Sequence, residues 1–291
     1  MQNKNIFYAL GVIVFLVFFY FLFLSAPSSF VPKTVVSIEP GTSLHSVSDV
    51  LKKDNVIRSR VAFEFFMILF GGEKHLISAD YLFENQLPVW QVAFRVANGE
   101  HHMPPVSMTI PEGFNVNQIA DLAVSKLKNF NKVRFLLQTK DLEGYLFPDT
   151  YFFLTSANDM DVRNSMNDNF KKKINPLLPK IISSGKSEKD IIIMASVIER
   201  EAKGDTDREV IAGILWKRIA IGMPLQVDAA PETYKTRGLP KSPIGNPGLL
   251  SIESAISPQN SPYLYYLHDK NGNIHYAKTF AEHQANIRKY L

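Results

Sequence analysis

Two glutamates, two residues apart, stand at the end of a long apolar run: Ala195-Ser-Val-Ile-Glu-Arg-Glu201. Ser187-Glu-Lys-Asp190 before the run is a helix start, with Ser187 as N-cap and Asp190 standing three residues on in place of the usual glutamate. The predicted helix then covers Ile191 to about Lys203. At about 100° per residue, Ile191, Met194, Ala195, Ile198 and Ala202 share one stripe. Glu201 falls at the edge of that stripe, between the directions of Met194 and Val197. Glu199 projects away from it, four residues before Lys203, and reads as half of a surface ion pair. A carboxyl on an apolar face is either partnered or held neutral. Desolvation raises its pKa toward the range in which a carboxylic acid donates protons at neutral pH. Taken alone, the helix leaves Glu201 open as a general acid or as a hydrogen-bonded structural residue. Glu143, in Glu143-Gly-Tyr-Leu-Phe-Pro-Asp149, is a second carboxylate beside aromatic residues, a setting that suits a sugar cleft and equally a packed turn.

Other chemistries lack their residues. There is no cysteine, which excludes thiol nucleophiles, disulfides, iron–sulfur clusters and thiolate-bound zinc. No phosphate-binding loop, dinucleotide fingerprint, His-Glu-x-x-His or Gly-x-Ser-x-Gly pattern occurs, and the seven histidines follow no ligand spacing. No cofactor and no metal are expected. The 32 basic and 28 acidic residues are spread thinly, which disfavours nucleic acid as a partner.

The elements that must carry the carboxylates follow from periodicity. Ile6 to Leu24 runs nineteen residues without a charge, with Tyr8 and Tyr20 toward its ends. As a helix it spans roughly 28 Å, the thickness of a bilayer core. Leu24-Ser-Ala-Pro27 would also suit signal-peptide cleavage, but the apolar run exceeds the usual length of roughly 7–15 residues. Lys4 on the short side places the N-terminus (1–5) in the cytoplasm and the body outside, in a single-pass arrangement at the cell membrane. A tether (25–33) leads to a small α+β module (34–103). Strands are predicted at Thr34–Ile38 and Tyr81–Phe83. Helices follow Ser43 and Ser59 and cover Val89–Ala97, the one after Ser59 reading as a core helix rather than a partner surface. A catalytic region (104–291) opens with a strand at Val106–Ile110 and a helix over Val116–Leu127. This order resembles that of the first strand and helix, a weak internal repeat.

Several motifs then occur in order: Glu143–Tyr151, Ala195–Ala202, Gly222-Met-Pro-Leu-Gln-Val-Asp228, Gly238-Leu-Pro240, Pro243-Ile244, Asn246-Pro-Gly248, Ser261-Pro-Tyr-Leu-Tyr-Tyr266 and Thr279-Phe-Ala-Glu-His283. Together they resemble the MltG (YceG-like) family of endolytic murein transglycosylases along nearly the whole chain. The resemblance implies an α+β protein with one N-terminal membrane helix, a LysM-like module and a mixed α/β catalytic domain. It implies non-hydrolytic cleavage of the MurNAc-β-1,4-GlcNAc bond of peptidoglycan strands, leaving a 1,6-anhydro end and terminating nascent strands. It leaves partnership with the wall-synthesis machinery open. By resemblance the second glutamate of Glu-x-Glu, here Glu201, is catalytic, and Glu143, Gln226, Asp228 and Asn246 line the substrate cleft. The segment between Asp228 and Gly238 is shorter than family members usually have. Two other readings stand beside this one: a hydrolytic glycosidase using Glu143 with Glu201, and a wall-binding scaffold.

Overall fold

The structure, a computed structural model, describes residues 2–74, 76–202, 204 and 207–291, and the side chains from residue 7 on. Helix α1 (Gln2–Phe19) continues into a wider turn over Tyr20–Leu24, where the Ser25 amide reaches back five residues to the Tyr20 carbonyl at 2.8 Å. Phe7–Leu24 is an apolar helix long enough to cross a membrane, and its residues from Phe7 to Phe23 are exposed.

The chain divides into two compact units. The first holds residues up to Val106 together with Phe152–Ala157; the second holds Ser107–Tyr151 and Asn158–Leu291. In the first, β1 (Thr34–Ser37) pairs antiparallel with β2 (Asp80–Phe83), and α2 (Leu44–Lys53), α3 (Arg60–Leu69) and α4 (Val89–Asn98) close over the pair. Ser43 and Ser59 each accept a hydrogen bond from the amide three residues on, which sets the starts of α2 and α3. Gly99, with φ 70°, ends α4 in the left-handed conformation. Val36, Leu51, Phe63, Met67, Tyr81 and Val92 fill the core.

One expectation needs revising in this unit. Helix α3 is not simply a core helix. Phe63 and Met67 point inward, while Val61, Phe65, Ile68 and Leu69 form an exposed stripe. The first part of the 25–33 segment lies against the unit, with Pro27 and Phe30 buried and the Ala26 carbonyl accepting from Arg58 Nε at 3.0 Å.

The second unit is helical, with two small strand ribbons. It comprises most of β3 (Val106–Thr109), α5 (Val116–Lys126), α6 (Lys132–Gln138), the first half of β4 (Thr150–Phe153), α7 (Asp159–Ile174), α8 (Leu178–Ser183), α9 (Glu188–Glu201), α10 (Arg208–Ala220), α11 (Leu249–Ile256), β5 (Tyr265–His268), β6 (Ile274–Ala277) and α12 (Phe280–Tyr290). Strands β3 and β4 pair, and β5 and β6 form an antiparallel hairpin. Among the described residues no larger sheet occurs, so this region is α+β rather than the mixed α/β layer expected. The strand–turn–helix order of β1–α2 returns in β3–α5, and even the turn glycines match: Gly41 and Gly113 sit at φ 79° and 78°, where a side chain would be strained.

Helix α9 is the axis of the unit. Ser187 caps it, accepting from the Asp190 amide at 3.1 Å. Every residue from Ile191 to Ile198 is buried against α10, α11 and the core that includes Phe147 and Phe170. A helix that is apolar all round has no solvated face. Glu199 follows this buried stretch directly and does not occupy the surface position expected for it.

Candidate active site

Glu201 is the last residue of α9 and lines a cavity of about 700 Å³. One wall is β5, from which the Tyr266 hydroxyl donates to Glu201 Oε2 at 2.9 Å. The opposite wall is the loop after α10, where Leu225, Val227 and Ala230 point into the core while Gln226 and Asp228 face the cavity. Gln226 holds this alternation at φ 51°, a left-handed conformation uncommon for a side-chain-bearing residue. Thr233, wholly buried, fixes the loop from behind. Its hydroxyl accepts from the Val227 amide at 3.0 Å and donates to the Ala230 carbonyl at 2.7 Å. Tyr234 donates to Asp228 Oδ1 at 2.6 Å. Helix α12 contributes Phe280 and His283 to the lining, with the His283 ring stacked on Tyr265.

Arg218 of α10 joins the two walls. It is 5% exposed, and its guanidinium donates to the Leu264 carbonyl at the start of β5 and to the Leu225 carbonyl beside Gln226. One buried cation thereby contacts the backbone beside both walls. Burial pushes the Glu201 carboxyl above its ordinary value, and the negative charge of Asp228 adds to the rise. Hydrogen bonds from Tyr266 and the Asp228 backbone, and the charge of Arg218, oppose it. The net direction is upward: Glu201 holds its proton to higher pH than a free glutamic acid.

Glu199 turns inward. Its side chain is 6% exposed, Oε2 accepts from the Gly248 amide at 2.9 Å, and Oε1 lies 3.3 Å from Arg208 Nη2. Arg208 also donates to Ser251 Oγ. The carboxylate thus meets the N-terminus of α11, where the amides lack helical partners and the helix dipole favours negative charge. The expected partner, Lys203, lies outside the described residues.

Glu143 and Asn246 meet each other away from Glu201. Asn246, fully buried, donates from Nδ2 to Glu143 Oε1 at 3.1 Å and to the Phe114 carbonyl at 2.9 Å, and its Oδ1 accepts from the Leu146 amide at 2.9 Å. Glu143 Oε2 accepts from the Val116 amide. Burial raises the Glu143 carboxyl, and the backbone amides of Val116 and Gly144 hold it down. Glu143 lines a separate cavity of about 410 Å³ with Lys140, Tyr145 and Lys241. Of the five residues singled out in the sequence, Glu201, Gln226 and Asp228 share one cavity. Glu143 and Asn246 share a knot that ties the 113–116, 143–146 and 246–248 segments.

The sequence reading gave no part to Arg218 or Tyr266. Tyr266 lies in a motif quoted above, but nothing in its spacing marks a contact with Glu201. Arg218 is one cation in a helix whose neighbours are also charged. Among the described residues no cluster of three or more His, Asp or Glu residues could hold a metal ion.

The YceG-like family model matches residues 36–232 and 230–289. The chain belongs to the YceG-like family. It is 28% identical to an endolytic murein transglycosylase of Bacillus subtilis (strain 168), over 88% of this chain and 84% of the relative. It is 24% identical to an endolytic murein transglycosylase of Streptococcus pneumoniae serotype 2, over 88% of this chain and 58% of the longer relative. A solved yceG-like protein of Listeria monocytogenes shares the fold with a TM-score of 0.58 at 27% identity, covering 87% of this chain and 98% of that one.

Proposed function

We propose that the protein is an endolytic peptidoglycan lytic transglycosylase in which Glu201 is the acid and base. The observation that carries the reading is a carboxyl of raised pKa, half-sheltered at the wall of a cavity large enough for sugar rings, in a member of this family. The Glu201 carboxyl gives its proton to the glycosidic oxygen as the bond from that oxygen to C1 of MurNAc breaks. The 6-hydroxyl of the same sugar then closes on C1 and returns its proton to the Glu201 carboxylate. No water is consumed, the carboxyl is regenerated, and the product ends in a 1,6-anhydro ring. The nucleophile arrives with the substrate, so one acid–base residue suffices. Gln226 and Asp228, facing the cavity opposite Tyr266, are the substrate contacts this reading assigns, while Glu143 and Asn246 support the loops behind it. Helix α1 would anchor the enzyme to the cell membrane, with its N-terminus in the cytoplasm and the body in reach of the wall.

One observation favours a second reading. Asp228 puts another carboxylate in the Glu201 cavity. There it could take a proton from an attacking water, giving hydrolysis with a free reducing end. The pairing of Glu143 with Glu201 finds no such support, since the two line different cavities. Digestion of uncrosslinked glycan strands followed by mass spectrometry separates the outcomes. Anhydro ends are about 18 Da, one water, lighter than hydrolytic ends. Water-bearing ends would refute the transglycosylase, and no cleavage with retained glycan binding would favour a scaffold.

A further inference from the structure

Glu201 has two oxygens, and they are not equivalent. Oε2 accepts the Tyr266 hydroxyl at 2.9 Å. An oxygen that already accepts a hydrogen bond is the poorer seat for a proton, which favours Oε1 as the seat in the acid form. We propose that Tyr266 is the positioning residue for Glu201: by occupying Oε2 it assigns the transferable proton to Oε1 and holds the carboxyl plane in one orientation at the cavity wall. This rests on the reading of Glu201 as the acid. It adds that the oxygen that gives the proton to the leaving group also recovers it from the 6-hydroxyl, so the carboxyl need not rotate between the two steps.

The surroundings fit a permanent donor. Tyr266 lies on β5, and the Arg218 guanidinium fixes the chain next to it through the Leu264 carbonyl at 2.7 Å. Burial, reinforced by the neighbouring Glu201 charge, pushes its hydroxyl well above the ordinary value, so it stays protonated across the working range. The other charged or titratable groups lining the Glu201 cavity are Arg200, Arg218, Asp228 and Tyr234, with Tyr265 and His268 on β5 and His283 on α12. Among the described residues, the one side-chain hydrogen bond to Glu201 comes from Tyr266.

Tyr266→Phe keeps the ring and removes the donor. On uncrosslinked glycan strands kcat should fall about ten- to hundredfold, the effect of losing one hydrogen bond to a charged group, with KM within about twofold. The hydroxyl stabilises the carboxylate, so its loss raises the Glu201 pKa and moves the basic limb of kcat/KM to higher pH. A purely structural tyrosine would not move that limb. A folded Tyr266→Phe enzyme with unchanged kcat and an unmoved limb would overturn the proposal. Should Tyr266→Phe fail to fold, 3,5-difluorotyrosine at position 266 keeps shape and sharpens the donor. The limb should then move to lower pH, and a stationary limb would overturn the proposal equally. Glu201→Gln, assayed in parallel, separates the failures. If it is inactive while the Tyr266 variants match wild type, only the positioning role is lost; if it is active, the acid assignment is lost with it.

Discussion

Glu201 and Glu199 lie two positions apart on one helix, so their side chains diverge by about 200°. Each reaches a different buried partner set. Glu201→Gln preserves shape and removes the proton, and turnover should drop by about 10²–10⁴-fold with circular dichroism unchanged. Stability should respond too. The folded-state pKa of Glu201 is raised, so the stability contributed by its neutral form is complete below the unfolded pKa and is lost as pH rises through the folded value. Glutamine never ionises. Glu201→Gln should therefore melt above wild type near about pH 8, and the gap should close near about pH 4. A gap that widens on acidification would contradict the assignment of a raised pKa. For Glu199 the expectation is structural. Its pair with Arg208 is almost fully buried, and deleting one partner of such a pair costs about 3–5 kcal/mol. Glu199→Ala should lower the urea midpoint accordingly. A double-mutant cycle with Arg208→Met should show strong coupling, whereas additive effects would mean that the pair carries no such energy. Glu201 was legible in the sequence because an acid at the edge of an apolar stripe is anomalous. The stripe argument misplaces Glu199 because it assumes one solvated face along the helix, whereas α9 is buried all round from Ile191 to Ile198, up to the residue before Glu199.

Local signals set the elements where the signal is local. Ser43, Ser59 and Ser187 each cap the helix their position predicts, and Gly99 ends α4 as expected. The cavity walls were not legible. The loop from Leu225 to Ala230 has no regular hydrogen-bonding period, and its shape depends on Thr233 and on a guanidinium reaching in from α10. Such contacts link residues by chemistry that no spacing rule encodes. Asn246 shows the same limit from the other side. Its position in a Pro-Gly motif resembles a cleft residue, yet its amide is committed to Phe114, Glu143 and Leu146. Asn246→Ala would strand the Leu146 amide and take a donor from Glu143 Oε1, while the Phe114 carbonyl keeps the backbone amide of residue 246. The expected cost is about 1–3 kcal/mol, most of it from the unsatisfied amide. Chemical denaturation should show that loss directly. A variant of wild-type stability but raised KM would instead make Asn246 a substrate contact.

At the scale of the whole molecule, the first unit is built onto its apolar helix without slack. Leu24 packs against the module core, Arg58 holds the Ala26 carbonyl, and Gln86 reaches the Pro27 carbonyl at 3.3 Å. The helix itself buries none of its span in the protein. Seventeen exposed residues from Phe7 to Phe23 would be an aggregation hazard in water, whereas in a bilayer the span is matched to a core about 30 Å thick. Lys4 precedes the span, and positive charge on a short flank is retained on the cytoplasmic side. The sense of insertion proposed above puts everything from Ser25 onward outside, where glycan strands are. With the full-length chain in intact spheroplasts, added protease should degrade the body while a cytoplasmic marker survives. Because Pro27 and Phe30 are buried, the first cuts should fall elsewhere than the 25–30 segment. A body wholly protected until detergent is added would reverse the topology, and with it the access to peptidoglycan that the active-site assignment requires.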